Sequence, residues 1–177
     1  MPARIQVGIV MGSDSDLPVM QEAAKVLEEL GIKYEMVIAS AHRVPDETAS
    51  FARKAAERGL KVIIAGAGLA AHLPGVIAAH TVLPVIGVPL QSGPLSGVDA
   101  LYAIVQMPPG VPVATVGINN AKNAGILAAQ IIATEDATIK ERLLAFKAAQ
   151  AEKVKNRNAK LQELGYKDYL AARSEMI

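Results

Sequence analysis

Five short runs of mostly apolar residues, rich in valine and isoleucine, are spaced along the first two thirds of the chain. Each has the length of a β-strand, and most lack the polar–apolar alternation of a strand with one face in water. Strands that are apolar throughout are typical of parallel sheets covered by helices on both faces. The pattern predicts strands at residues 4–12, 34–40, 61–68, 84–90 and 112–118.

The segments between these runs carry apolar residues at helical spacing. Pro45 begins one segment, and Gly31 and Gly59 follow the ends of two, as is typical of proline at helix starts and glycine beyond helix ends. Strands alternating with helices favour a parallel sheet with helices on both faces, which binds ligands where the strand order reverses. The predicted helices span residues 17–30, 45–58, 70–80, 96–107 and 120–133.

The C-terminal part of the chain is more charged, and its pattern is that of one long helix or two. We therefore predict an α/β nucleotide-binding catalytic domain over residues 1–135. Residues 136–177 are expected to form a helical extension that packs on this domain or on a neighbouring subunit.

Composition argues against several classes of function. The 177 residues include no cysteine, which excludes a disulfide scaffold, a thiolate metal site and a cysteine nucleophile. A net charge of +1 and 3% aromatic residues argue against nucleic-acid binding. Neither a signal peptide nor an apolar run of membrane-spanning length is evident. We expect a cytoplasmic protein with no nucleic-acid or membrane partner.

Three loops that follow the first three strands hold most of the unusual polar residues in the first half of the chain. They read MGSDSD (11–16), SAHRVPD (40–46) and GAGLAAHLPG (66–75). Serine hydroxyls and backbone N–H groups at a strand-to-helix turn suit a phosphate. Two carboxylates would repel one, so at least one is expected to face sugar hydroxyls. The alternative is that Ser15 or Asp16 caps the next helix.

His42 and Arg43 precede a predicted helix start, where the partial positive charge disfavours cations. A bound phosphate would compensate the forked guanidinium of Arg43. The same dipole favours a neutral His42, which can take and return a proton. A histidine bonded to the backbone and an arginine turned to solvent are the alternative. His72 fits a bond to a loop carbonyl as well as a ligand contact, and three histidines without carboxylate partners do not favour a metal site.

These loops, together with PVIGVP, SGVDALYAIVQMP and NNAKNAG, resemble the class I PurE family, the N5-carboxyaminoimidazole ribonucleotide mutases of purine biosynthesis. The resemblance covers most of residues 5–133 in the same order and spacing. It implies a three-layer, flavodoxin-like α/β/α sandwich with a five-stranded parallel sheet, assembled as a homo-octamer with sites at subunit boundaries. It also implies a reversible shift of a carboxylate from the exocyclic nitrogen to ring carbon C4 of a small ribonucleotide, without metal, organic cofactor or ATP.

The same resemblance implies roles for particular residues. His42 is expected to be the general acid and base, Arg43 to bind the phosphate, and Ser13 and Asp16 to bind the ribonucleotide. Further residues expected to line the pocket are Ser15, Ser40, Gly68, Ala70 and His72.

Two residues depart from the usual family pattern. Leu69 stands where glycine is usual, so it is expected to crowd the ligand or to resist a positive φ. Val44 stands where threonine is usual, which removes a hydroxyl able to cap a helix.

Several other functions remain open from the sequence. A direct aminoimidazole ribonucleotide carboxylase that uses CO2 would share the fold and the histidine, and a family member that binds without turnover would share the pocket. A flavodoxin-like FMN carrier is disfavoured because no aromatic residue lies near the first loop. A signalling receiver is disfavoured because no acidic residue ends the third strand.

Overall fold

In the computed structural model, which describes residues 4–174, five strands form one parallel sheet. The strands are β1 (Val7–Met11), β2 (Tyr34–Ile38), β3 (Val62–Gly68), β4 (Val85–Leu90) and β5 (Ala114–Thr115). Their order is β2-β1-β3-β4-β5, the order of flavodoxin-like sheets. The predicted five-stranded parallel sheet is therefore confirmed.

Helices cover both faces of this sheet, as predicted. They are α1 (Leu17–Glu29), α2 (Pro45–Ala55), α3 (Leu73–Ala79), α4 (Val98–Val105) and α5 (Ala121–Ile132), and a sixth helix, α6 (Ala137–Ser174), follows them in the chain. Helices α2, α3 and α4 share one core with the sheet, to which they contribute Ala52, Ile77 and Ile104. Helices α1 and α5 pack against each other, with Gly125 close to the backbone of Ala23. In the part of the chain that the structure describes, no helix is both long and apolar enough to cross a membrane.

The central strands β1, β3 and β4 are buried along their length except at the last residue of β3, which explains why their sequences do not alternate. Every residue of β1 and β4 is buried, and each valine or isoleucine buried in this way contributes about 1.5–3 kcal/mol. Helix α1 packs closely on the sheet at Gly66 of β3. The sulfur of Met20, on α1, lies so near that a Cβ on Gly66 would come within 2.3 Å of it.

Two predicted helix ends have the expected geometry. Gly31 has a φ of 71°, its N–H donates to the carbonyl of Glu28, and the N–H of Ile32 donates to that of Leu27, which together close the end of α1. Gly59 has a φ of 94° shortly after α2. Pro45 is the first residue of α2, where its missing N–H leaves no bond unmade.

Most predicted elements are longer in the sequence pattern than in the structure, and β5, α3 and α4 are among those that lose at least four residues. Strand β5 is an edge strand of two residues, because Pro112 cannot donate to a ladder and the chain soon turns away at Asn119, which has a φ of 58°. Helix α3 starts at Leu73, which leaves residues 70–72 in a loop. Helix α4 starts at Val98, because residues 96 and 97 both have positive φ.

The chain divides into two compact units, one ending at Ile139 and the other starting at Lys140. Asp136 caps α6, since its Oδ1 accepts a hydrogen bond from the N–H of Ile139. Within the second unit the helix is interrupted at Gly165, where φ is 71° and ψ is 165°. The predicted boundary after residue 135 and the packing of the extension stay predictions.

Candidate active site

A cavity of about 400 Å³ opens at the carboxyl ends of the strands. It lies where the strand order reverses, since β2 and β3 flank β1 on opposite sides, and ligands of such sheets bind at this reversal. The loops after β1, β2 and β3 supply most of its lining. All the residues predicted to form a site line this cavity: His42, Ser13, Ser15, Asp16, Ser40, Arg43, Gly68, Ala70 and His72. The structure brings them together, and their roles stay predictions.

The loop after β1 is fixed by bonds within itself. The N–H of Ser13 donates to Oδ2 of Asp16 at 3.1 Å, and the Ser13 hydroxyl accepts from the N–H of Ser15 at 3.3 Å. These bonds form a capping box that starts the 3-10 turn Asp14–Asp16 ahead of α1. Asp16 makes no capping bond to α1 itself, so the alternative that it caps this helix directly is wrong. The Ser13 and Ser15 hydroxyls, 2.9 Å apart, remain at the cavity wall.

The Asp16 carboxyl group is partly buried in the cavity wall. Burial raises the pKa of Asp16 above its ordinary value because it removes water from the carboxylate, and the negative charge of Asp14 adds to the rise. Hydrogen bonds from the N–H groups of Ser13 and Gly12 and the charge of Arg43 act in the opposite direction without cancelling it. A poorly hydrated carboxylate in this position is suited to accept hydrogen bonds from ligand hydroxyls.

Arg43 connects two of the cavity loops. Its Nη2 donates to the carbonyl oxygen of Gly12 at 2.9 Å, and its Nε donates to Oγ of Ser40 at 3.3 Å. Among residues 4–172, whose side chains are described, no carboxylate lies within ion-pair distance of this guanidinium. Its positive charge and remaining N–H donors therefore suit an anion in the cavity.

His42 and His72 face each other in the cavity wall. Nε2 of His42 lies 2.9 Å from Nδ1 of His72, and the two rings meet edge to face at 82°, with their centroids 5.0 Å apart. His72 therefore bonds a side chain rather than a loop carbonyl. This pair was not evident in the sequence, because thirty positions separate the two residues. Two imidazoles joined in this way form a unit able to hold and transfer a proton.

Leu69 lines the cavity with a strained backbone. Its φ is 55°, a left-handed conformation that glycine adopts readily and leucine does not. Its Cδ2 atom lies against Gly93, where a Cβ would come within 2.7 Å of it. The expectation that this leucine would be unable to adopt a positive φ is wrong.

Ser92 is a cavity residue that the sequence analysis missed. It follows β4, and parallel strands bring all their carboxyl ends to one edge, so this fourth loop was predictable from the topology. The asparagines after β5 do not line the cavity. Asn120 caps α5 by accepting from the N–H of Asn123, and Asn119 bonds Gln91. Within the described residues, no group of three or more acidic, histidine or cysteine side chains is arranged to hold a metal ion.

Comparison with known proteins gives consistent matches. The profile of the AIR carboxylase family matches residues 6–153. The N5-carboxyaminoimidazole ribonucleotide mutase of Thermotoga maritima is 57% identical over 93% of this chain and 96% of its own length. The phosphoribosylaminoimidazole carboxylase of Schizosaccharomyces pombe is 56% identical, but the match covers 30% of that protein. A solved structure of Treponema denticola PurE superposes with a TM-score of 0.81 at 31% identity, covering 89% of this chain and 99% of that one.

Proposed function

This chain belongs to the AIR carboxylase family, and from that premise we propose that it is an N5-carboxyaminoimidazole ribonucleotide mutase, an isomerase of purine biosynthesis. The observation that carries the choice of reaction is the match to proteins of that name over nearly the full length of both chains. Because a phosphorylated substrate does not cross membranes unaided, we also propose that it acts in the cytoplasm.

The proposed reaction moves a carboxylate within one molecule. The bond between the exocyclic nitrogen and the carboxylate carbon breaks, its electron pair stays on nitrogen, and CO2 is released beside the ring. Ring carbon C4 then attacks CO2 and loses its own proton. One proton is needed at the nitrogen and one is returned from C4, so a single imidazole that gives and then regains a proton balances the reaction. Confinement of CO2 in the cavity supplies proximity.

His42 is the residue proposed for this proton transfer. It lines the cavity, where its ring is hydrogen-bonded to His72 in the loop after β3. In the proposed cycle the negative charges of the bound substrate offset the helix dipole and favour the imidazolium form, which donates to the departing nitrogen and regains a proton from C4, so the state of His42 is the same at the start and the end. Neither step requires a group outside the chain and the substrate.

The ribonucleotide is proposed to lie with its phosphate at Arg43 and its ribose at Asp16. No described carboxylate lies within ion-pair distance of the guanidinium, and Ser13 and Ser15 line the same cavity. Ser40 supports this arrangement by accepting from Nε of Arg43. Gly68 and Ala70 have small side chains or none, which leaves the volume that a heterocycle needs to approach the backbone.

Assembly into a homo-octamer is part of this proposal. Helix α4 and the loop just before it carry four exposed apolar side chains at helical spacing: Leu95, Val98, Tyr102 and Val105. An apolar row of this kind on a helix favours burial against another copy. Light scattering should give the mass of eight 18.5 kDa chains. A monomer would contradict the octamer, and Tyr102→Glu should reduce the mass if α4 is the contact.

The test of the reaction uses the purified full chain and two substrates. Conversion of N5-carboxyaminoimidazole ribonucleotide to the C4-carboxylated product is expected, and His42→Asn should lower kcat by roughly 100-fold or more. His80→Asn is the matched control, since His80 lies at the end of α3 and does not line this cavity. If the chain instead turns over only aminoimidazole ribonucleotide with bicarbonate, it is a direct carboxylase. The match to the Schizosaccharomyces pombe carboxylase favours this second candidate function.

A further inference from the structure

The hydrogen bond between the two imidazoles decides which nitrogen of His42 is available to a ligand. Nε2 of His42 is occupied by Nδ1 of His72 at 2.9 Å. Among the described residues, this is the sole hydrogen-bond partner of the His42 ring. Nδ1 of His42 is therefore the ring nitrogen left to meet a molecule in the cavity.

A hydrogen bond between two imidazole nitrogens carries one hydrogen, so it has two arrangements. If His72 donates, Nε2 of His42 must keep its lone pair, and a doubly protonated His42 would break the bond. If His42 donates, its Nδ1 can hold a proton or a lone pair while the bond to His72 persists. Only the second arrangement allows His42 to act first as an acid and then as a base without rearranging its partner.

We propose that His72 is a positioning residue that accepts a hydrogen bond from Nε2–H of His42 and leaves Nδ1 of His42 to exchange the proton with the substrate. This proposal rests on the function proposed for His42. It replaces the prediction that His72 binds the substrate directly. In the proton cycle, Nδ1–H gives its proton to the carbamate nitrogen and Nδ1 regains one from C4, while His72 keeps its own Nε2–H throughout.

The backbone holds His72 in a fixed place for this role. It immediately precedes α3, its N–H donates to the carbonyl of Ala70 at 2.8 Å, and its carbonyl accepts from the N–H of Val76 at 2.9 Å. The start of a packed helix is more rigid than a free loop, so it can orient a second ring. His42, in contrast, lies in a turn before α2 and its ring has no other bonded partner in the described chain.

The first test is spectroscopic and needs no substrate. In full-length protein labelled with 15N histidine, we expect a scalar coupling between Nε2 of His42 and Nδ1 of His72 across the hydrogen bond, with the hydrogen covalently attached to His42. The signals are assigned by their loss in His42→Asn and His72→Asn. Attachment of the hydrogen to Nδ1 of His72, or no coupling with both signals resolved, would overturn the proposal even if the chain proves to be a mutase.

The second test is kinetic and compares two substitutions of the same residue. Asn at position 72 has a carbonyl oxygen near the place of the imidazole Nδ1 and can still accept from His42, whereas Leu cannot. We expect His72→Asn to keep kcat within about fivefold, and His72→Leu to lose on the order of 10- to 100-fold in kcat with KM changed less than about threefold, by analogy with the partners that orient metal-binding imidazoles. His80→Leu controls for loss of a histidine elsewhere.

The outcomes separate this proposal from the function on which it rests. Wild-type protein that fails to convert the carboxylated substrate would contradict the function, while the coupling still reports the tautomer. Active wild type together with equal loss of kcat in His72→Asn and His72→Leu would overturn the positioning role. A large rise in KM without a fall in kcat would also overturn it and would indicate that His72 binds substrate. If His72→Leu does not fold, His72→Asn and the coupling decide.

Discussion

The Cδ2 atom of Leu69 lies against Gly93 so closely that a Cβ at residue 93 would come within 2.7 Å of it. This contact joins the loop after β3 to the loop after β4 at the edge of the cavity. Both residues have left-handed backbones, with φ of 55° and 64°. The contact is therefore made by a leucine in a conformation that it rarely adopts and by a glycine that alone fits opposite it.

Gly93→Ala should lower the free energy of unfolding for two separable reasons. An alanine with positive φ costs about 1 kcal/mol, and overlap with Leu69 should add up to about 1 kcal/mol, because the leucine end is flexible and half exposed. Gly110→Ala is the control, since Gly110 has a φ of 99° and a Cβ added there would have no atom within 4 Å. Urea unfolding should show a larger loss for residue 93, and equal losses would mean that the contact contributes nothing.

Replacing Leu69 itself should reverse the usual ranking of alanine and glycine. Both substitutions remove the side chain, but only glycine relieves the positive φ, so Leu69→Gly should be more stable than Leu69→Ala by about 0.5–1 kcal/mol. At Ala78, inside α3, glycine should be less stable than alanine by a similar amount. Urea unfolding of the three variants measures both differences. A Leu69→Ala variant that equals or exceeds Leu69→Gly would show that the backbone at residue 69 is not strained.

The sequence was sufficient to predict the sheet, because continuous apolar runs and glycine or proline at helix ends are local signals. It also predicted which loops meet, since parallel strands bring their carboxyl ends to one edge. It did not predict the bond between His42 and His72 or the contact of Leu69 with Gly93. Those contacts depend on side-chain directions in three dimensions, and no spacing in the chain encodes them.

Strand and helix ends were less predictable for a related reason. Residues 96 and 97 are small enough to extend a helical pattern, yet both have positive φ values, which a helix does not allow. In the same way, residues 70–72 continue the apolar pattern of α3 but serve as its lead-in loop. The pattern records which residues are apolar, whereas tertiary contacts decide where a helix starts.

Val44→Thr should stabilise the chain. Val44 is at the N-cap position of α2 and makes no side-chain capping bond, and a threonine hydroxyl there can accept from an unbonded N–H of the first turn. We expect a gain of about 0.5–1 kcal/mol in the free energy of unfolding. Val154→Thr, at an exposed position within α6, is the control because no uncapped N–H lies beside it. No gain at residue 44 relative to residue 154 would mean that the cap is already satisfied.

Arg43→Lys should weaken substrate binding more than turnover. The guanidinium holds Gly12 and Ser40 with two of its donors and keeps others for an anion, whereas a lysine has one ammonium to share among them. We expect KM to rise about 10- to 100-fold with kcat changed less than about threefold. Inorganic phosphate should compete with substrate in the wild type and much less in the variant. The control is Arg53→Lys, on the exposed side of α2, whose KM should match that of the wild type. An equal KM for the two variants would show that Arg43 does not bind the phosphate.

Asp16→Asn should change how stability depends on pH. Because the pKa of Asp16 is raised in the folded chain, folding favours its protonated form. This contribution is fully present below the ordinary pKa of an aspartate and is lost as the pH rises through the raised folded value. Asparagine keeps an oxygen to accept from the N–H of Ser13 but has no charge to bury. The free energy of unfolding of the variant should therefore rise relative to that of the wild type as the pH goes from acidic to neutral.

Urea unfolding of both proteins across that interval measures this difference. A constant or falling difference would mean that the carboxylate of Asp16 is well solvated or is stabilised by Arg43 more than burial disfavours it.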